Sequence, residues 1–525
     1  MEVRNYSCLI ELLGESNVAL PSSSSGILID SRLGILLTHG TVLFEHLLHN
    51  NDNHRQLLKN QSVNLEKFNL RAKVSFEKFD KDNQKKRSTS HIQLFNCNQG
   101  SSVTPRDNHS AQVLQIFVCP EFVNGLNDVA PKHSDWSFNY IDDTSEKDQL
   151  IIDLLPTFVL LRIDNWRNEV ENDLKISPIK LVREGLEVYS VATPFANLSP
   201  GVFLNSISRG IICKATGKHK SVLLTDARCV PGTEGGPLFD KQGRLIGLIA
   251  SSLCWKGGEF TGLAIACSIQ SLLRSLPLYR AITNIIREED VEFSHDQQTF
   301  LVEKLSKSVV YVKCGALSGS GVVIEPQMGL IATCRHVVAQ SAYNPTKVKL
   351  SDDCDWFETD VIFSTNSSSP YDFALLKVKH FVDLPLLPSV QVENNPFEGE
   401  ELFMIGHALL EDKAKYSPIV STGCLAKLVC QDSLPVMIQS TTVILPGASG
   451  GALFGKNGHL VGLIVSNSKD TENNVNYPQV NLSIPFVTLW PYIEAYKETK
   501  DMQHLELLNT ANNLLKELWS LQSKG

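Results

Sequence analysis

The chain has 525 residues, 42% hydrophobic and 20% charged, with 48 Lys and Arg against 57 Asp and Glu. Such totals suit a soluble globular chain of more than one domain, and a net charge of −9 spread along its length offers no basic stripe for nucleic acid. Twelve cysteines without a CxxC pair read as reduced thiols of an intracellular protein, the N-terminus MEVRNYSCLIELLGES lacks the form of a signal peptide, and no apolar run approaches a membrane span.

In chain order, the first half shows short apolar runs cut by Gly, Asn and Pro, which predict strands and turns. SGILIDSRLGILLTHGT (25–41) opens the pattern. A stretch rich in Asn, Gln, Lys and Ser, at about 46–136, reads as a polar insertion, and its basic cluster Lys85-Lys86-Arg87 as a solvated loop. PTFVLLRI (156–163) and PGTEGGPLFDKQGRLIGLI (231–249) follow, then a charged segment at 286–298 that reads as a linker.

The second half repeats the first. SGVVIEPQMGLIATCRH (320–336), YDFALLKV (371–378) and PGASGGALFGKNGHLVGLI (446–464) match the three runs above, the last with 12 identities in 19 positions. The interval from Thr157 to Glu234 equals that from Asp372 to Ser449. Thr41 stands much farther from Thr157 than His336 does from Asp372, and a single insertion, the polar stretch, accounts for the whole difference. Past Trp490, Met502, Leu505, Leu508, Leu515, Leu518 and Trp519 recur mostly three or four apart, which predicts an amphipathic terminal helix. The expected organisation is two similar all-β barrel domains at 1–285 and 299–495, joined by 286–298 and closed by a helical segment at 496–525.

PGASGG is the motif with chemistry. A serine hydroxyl is a weak nucleophile at neutral pH and needs a base for its proton and donors for the oxyanion that forms. Glycines around Ser449 permit a tight turn that aims the N–H groups of Gly447 and Ser449 inward. GASGG also fits the G-x-S-x-G turn of α/β-hydrolases, but those chains run Ser, acid, His. Downstream of Ser449 stand only His459, in a turn directly after the motif, and His504, in the terminal helix. Upstream, His336 ends one apolar strand and Asp372 begins another, which is the order His, Asp, Ser. The first half carries Thr41, Thr157 and Glu234 at the aligned positions, and His39 falls two residues early, so that half is expected to be inert.

The runs SGSGVVIEPQMGLIATCRHVV, YDFALLKV and GASGGALFGKNGHLVGLIVS resemble the trypsin-like superfamily in its intracellular HtrA/Deg-like form. The resemblance implies two tandem double β-barrel domains, the first degenerate. It implies Ser449 as nucleophile, His336 as general base and then acid, and Asp372 as the group that orients His336. It needs no metal or cofactor. Val443, six residues before Ser449, stands where pockets for basic side chains carry Asp. With Ser466, in the strand around Val465-Ser466-Asn467, it implies a small, mostly neutral specificity pocket. A degenerate half followed by an active one, with too short a stretch after Pro491 for a PDZ domain, resembles the peroxisomal leader peptide-processing branch of these proteases.

That branch implies protein substrates, namely peroxisomal precursors losing a targeting presequence, often after a cysteine, and self-cleavage in the N-terminal half. Cys97 is the candidate for that cut, with Cys119 behind it, and self-association is open. The family usually ends in a Ser-Lys-Leu type of peroxisomal address; this chain ends Ser523-Lys524-Gly525, which keeps the cytoplasm as an alternative to the peroxisome. A general quality-control protease and a non-catalytic scaffold or chaperone are the competing functions.

Overall fold

The computed structural model describes residues 2–14, 19–49, 70–77, 106–130, 135–138, 146–167, 174–196, 198–256, 259–276, 296–351, 354–379, 389–410, 416–470, 475–509 and 512–519. Their alternating short apolar runs build four antiparallel barrels, two in each half. The first barrel closes in the order Ser7–Leu13, Ala19–Asp30, Ile35–His39, Thr157–Ile163, Arg106–Val118, Arg71–Glu77. The second joins Pro237–Asp240, Glu187–Ala192, Ser206–Thr216, Val222–Thr225, Glu259–Ser268 and Leu245–Trp255, with Trp136–Phe138 added beside the last.

The second half follows the same plan. Its first barrel runs Val309–Cys314, Leu317–Glu325, Leu330–Thr333, Ala374–Val378, Phe357–Ser364, Thr346–Lys349. Its second runs Glu401–Gly406, Ile419–Gln431, Leu434–Ser440, Val475–Pro485, Leu460–Asp470, Ala452–Gly455. Closure leaves no edge to protect within a barrel, which suits strands of four to 13 residues.

The stretch read as a polar insertion holds two of the six strands of the first barrel, Arg71–Glu77 and Arg106–Val118, paired over seven positions. The apolar residues of Arg71–Glu77 that reach the core are the alternate Ala72, Val74 and Phe76, with Ser75 buried on the other face, so the polar residues between them disguised the strand. The extra length therefore falls around these strands rather than replacing them. Part of it is the helix Pro120–Val129, which buries Phe122, Leu126 and Val129.

The halves share one hydrophobic core. It joins Trp136, Leu224 and Leu263 of the first half to Ile405, Val443 and Leu482 of the second. Helix Gln297–Ser306 begins where the expected linker ends and buries Val302 and Leu305; Val302 packs against Gly185, whose missing side chain leaves it room. Polar bonds lock the seam. Buried Asp226 accepts from Ile211 N at 2.7 Å, Thr422 N at 2.9 Å and Thr422 Oγ1 at 3.1 Å, and Lys214 donates to the Ser417 carbonyl at 2.7 Å.

The expected terminal helix is three pieces, Phe486–Thr499, Gln503–Glu506 and Asn513–Trp519. Lys500 ends the first with a left-handed backbone, φ 60°. The periodic Leu505, Leu508, Leu515 and Trp519 are buried as the spacing predicts. Among the described residues no helix is long and apolar enough to cross a membrane.

Candidate active site

Strands Leu330–Thr333 and Ala374–Val378 are hydrogen-bonded neighbours, with Thr333 opposite Ala374. The chain leaves one and enters the other at the same barrel rim, and this sets His336 beside Asp372. His336 Nδ1 lies 2.5 Å from Asp372 Oδ2, and the His336 backbone N–H donates to Asp372 Oδ1 at 3.0 Å. Two bonds to one carboxylate fix both the ring and the turn that carries it. Burial raises the Asp372 carboxyl, but the hydrogen bond from His336 and the charges of His336 and Arg335 outweigh it and hold the group below its ordinary value. The imidazole is half exposed.

The Asp372 loop is braced from behind. Arg335 donates to the Asn366 carbonyl at 2.6 Å, Ser369 Oγ to the Leu508 carbonyl at 3.0 Å, and Asn366 N to Asn509 Oδ1 at 2.7 Å. The C-terminal segment thus packs behind the acid. Cys334 lies against the pair, its Sγ donating to the Ile464 carbonyl at 3.2 Å, and burial pushes its thiol well above the ordinary value.

Ser449 sits on the loop between Leu434–Ser440 and Ala452–Gly455, on the neighbouring barrel. The loop docks onto strand Leu317–Glu325. Ser320 N donates to the Ser449 carbonyl at 2.8 Å and Ser320 Oγ to the Gly447 carbonyl at 2.9 Å. At Gly450 a side chain would begin 2.1 Å from the Ser320 carbonyl, and φ is +84°, so glycine is obligatory there. Ser449 Oγ donates to the Val465 carbonyl at 3.0 Å, and no hydrogen bond joins it to His336. The N–H groups of Gly447 and Ser449 have no acceptor among the described residues.

The first half holds the same loop in the same frame. Ser25 N donates to the Glu234 carbonyl at 2.9 Å and Ser25 Oγ to the Gly232 carbonyl at 2.8 Å. Gly235 N donates to Ile249 at 2.7 Å as Gly450 N does to Ile464 at 2.8 Å. Gly232 has φ 93° and Gly447 φ 97°. The side chains differ. The Glu234 carboxylate folds back to accept from Gly232 N at 2.8 Å. Burial pushes its carboxyl above the ordinary value, partly offset by the N–H groups of Glu234 itself and of Gly232. These are the donors aligned with Ser449 and Gly447, so a carboxyl oxygen occupies the place on which this loop's N–H groups converge. Thr157 Oγ1 donates to the Asp153 carbonyl at 3.0 Å, and buried His39 bonds the Leu155 carbonyl at 2.8 Å, its ring driven down to about 4 by burial.

Val443 is buried, bridged to Ser421 Oγ through both its N–H, at 3.0 Å, and its carbonyl, at 2.8 Å. Ser466 Oγ is buried without a partner. Asn467, in the strand already read for this pocket, is joined by two residues that sequence reading missed, Asn481 and Ser483. Asn467 and Asn481 face each other across a strand pair. Their amides donate to the carbonyls of Ile444, at 3.0 Å, and of Thr442, and both side-chain oxygens, with Ser483 Oγ, are buried without a partner. Bulges between Ile464 and Ser466 and between Asn467 and Ser468 shift the register, so no period-2 reading would have paired them. Cys97 lies outside the described residues. Cys119 is fully buried at the start of a helix, 3.9 Å from Cys267 Sγ, a poor site for a cut in the folded chain.

The family described as trypsin-like peptidase domain matches residues 148–248 and 319–463. The chain is similar to the mouse (Mus musculus) peroxisomal leader peptide-processing protease, 31% identical over 442 residues, which are 78% of this chain and 75% of that protein. The human (Homo sapiens) protein of the same name is 31% identical over 437 residues, again 78% of this chain and 75% of its own length. Protease Do-like 1, chloroplastic, of Arabidopsis thaliana is 31% identical over 168 residues, 30% of this chain and 36% of that one.

Proposed function

The chain belongs to the family of the peroxisomal leader peptide-processing proteases, and on that premise we propose that it removes targeting presequences from imported peroxisomal precursors, with Ser449, His336 and Asp372 as its triad. It is a trypsin-like serine endopeptidase. The observation that carries the site reading is the 2.5 Å pairing of His336 Nδ1 with Asp372, at the rim where the Ser449 loop docks.

In this reading Asp372 fixes the Nδ1–H tautomer of His336, which leaves Nε2 free to accept a proton. Ser449 turns from the Val465 carbonyl toward His336 as substrate binds, a tightening common in such sites. Its oxygen attacks the scissile carbonyl while His336 takes the proton. Gly447 N–H and Ser449 N–H hold the oxyanion, where the first half holds the Glu234 carboxylate. His336 then protonates the leaving amine, and water, deprotonated by His336, hydrolyses the acyl-enzyme.

The orphaned oxygens of Asn467, Asn481 and Ser483, beside Val443 and Ser466, suit a small P1 side chain able to donate a hydrogen bond, cysteine among them. The first half, residues 1–285, serves as an inert companion domain ahead of the 299–495 protease. Self-cleavage at Cys97 falls between strands Arg71–Glu77 and Arg106–Val118. Those strands are paired, so the nicked chain is expected to stay together until denatured. The peroxisome is the proposed compartment, with Ser523-Lys524-Gly525 the element to test by fusion to a fluorescent reporter.

The deciding experiment incubates wild type and Ser449→Ala with a presequence-bearing precursor and with unfolded casein. One cut in the precursor, lost in the variant, supports the proposal. Broad casein degradation by the wild type supports a quality-control protease instead, and cutting by the variant removes Ser449 from the mechanism.

A further inference from the structure

The inert half reaches the loop next to the oxyanion donors. Trp136, at the start of the short strand Trp136–Phe138, donates its indole N–H to the Leu409 carbonyl at 2.8 Å. The side chain is buried, 5% exposed, and its ring packs edge-on against Trp255 at 4.5 Å between centroids. Strand pairing sets Trp136 opposite Trp255, so both rings are placed by the second barrel of the first half. Leu409 belongs to the other half. Its N–H donates to the Pro446 carbonyl at 2.8 Å, one residue before Gly447. The Cα of Gly447 faces Leu409 closely: a side chain there would begin 3.0 Å from Leu409 N and 3.1 Å from Leu409 Cγ. A continuous path therefore runs from the indole, through the Leu409 peptide, to the donor loop of Ser449.

The first half holds the equivalent peptide from within its own loop, the Phe195 carbonyl accepting from Leu198 N at 2.9 Å and Ser199 N at 3.2 Å, and not from a tryptophan of the other half. Phe195 takes the place of Leu409, its N–H donating to the Pro231 carbonyl at 2.8 Å. Phe195 is 39% exposed and has a left-handed backbone, φ 50°, a conformation unusual for an aromatic residue. Leu409 has no such backbone. The copy held across the seam by Trp136 carries a serine whose loop donors have no acceptor among the described residues, and the copy held locally carries a glutamate that satisfies one of its own.

We propose that Trp136 is a positioning residue for catalysis: by holding the Leu409 peptide it keeps the Gly447 N–H aimed at the reacting carbonyl, which makes the inert half part of the catalytic machinery. The proposal rests on the assignment of Ser449 and Gly447 made above. It concerns a group that touches no substrate, so its effect falls on transition-state binding and not on ground-state binding.

The test compares wild type, Trp136→Phe, Trp255→Phe and Ser449→Ala in the full-length chain, using a peptide substrate taken from a precursor cleavage site. Active sites are counted by fluorophosphonate titration, so unfolded molecules drop out of kcat. Trp136→Phe is expected to lower kcat about tenfold with KM within about twofold, and to weaken a matching peptide boronate in parallel with kcat/KM. Trp255→Phe, which keeps the Trp136 indole, stays near wild type. Should Trp136→Phe not fold, benzothienylalanine at position 136 preserves the shape and removes the N–H, and the same fall in kcat is expected. A kcat within about twofold of wild type in whichever variant folds overturns the proposal, as does a loss confined to KM. Activity remaining in Ser449→Ala would instead overturn the site assignment, leaving the two failures distinct.

Discussion

Loops 231–236 and 446–451 are two copies of one backbone with opposite fates. Each rests on a serine of the neighbouring barrel, Ser25 or Ser320, through bonds of 2.8–2.9 Å, and each turns on a glycine near φ 95°. The first places Glu234 where the second places Ser449. A carboxylate at that point satisfies Gly232 N–H from within the loop, while Gly447 N–H keeps no partner among the described residues. A donor left open is costly in a partly buried site. Its persistence in one copy and satisfaction in the other support the proposal that the second copy is the one that does the chemistry.

The comparison breaks most visibly at its shared glycine. Gly447→Ala is expected to lower kcat/KM about 10²–10³-fold, because a side chain there strikes the His407 carbonyl and Leu409 N at 3.0 Å and turns the donor away. Gly232→Ala meets the Thr193 carbonyl at 2.9 Å in the same conformation, yet should cost only stability, about 1–2 kcal/mol by denaturant unfolding, and leave kcat unchanged. Equal losses of activity would dissolve the distinction between the loops.

The seam comes next. Asp226→Ala strands the Ile211 and Thr422 N–H groups in a buried interface, and a loss of roughly 3 kcal/mol is expected, read as one unfolding transition moving to lower denaturant. Two separate transitions in the wild type would show that the halves do not fold as a unit.

Glu234 offers the smallest effect. Its carboxyl is raised in the folded chain, so the unfolded state ionises first as pH climbs and folding stability is lost until the folded carboxyl also ionises. Glu234→Gln removes that loss and still offers an oxygen to Gly232. Its melting temperature should match wild type near pH 4 and exceed it at pH 7–8; a gain independent of pH would contradict a raised carboxyl.

The proposed triad and the repeat could be read because each member stands in a short motif with fixed spacing, and the acid and serine positions are equally far apart in both halves. Strand Arg71–Glu77 was hidden because Arg71, Lys73 and Glu77 are charged, and polar composition looks like a loop until alternation is read residue by residue. Asn467 and Asn481 depend on two bulges. Trp136 bonding Leu409 joins positions far apart in the chain and leaves no local trace. The C-terminal helical region buries Leu505, Leu508 and Leu515 as the spacing indicated, while its division into segments, the first ended by a left-handed Lys500, left no periodic signal.

The central claim is a single active site, in the second half, with Ser449 as its nucleophile. Labelling the full-length chain with a fluorophosphonate and mapping the adduct by peptide mass spectrometry tests it most directly. Modification of Ser449 alone, abolished in Ser449→Ala and strongly slowed in His336→Ala, is the predicted result. A label on any first-half residue, or an undiminished label in Ser449→Ala, would contradict it.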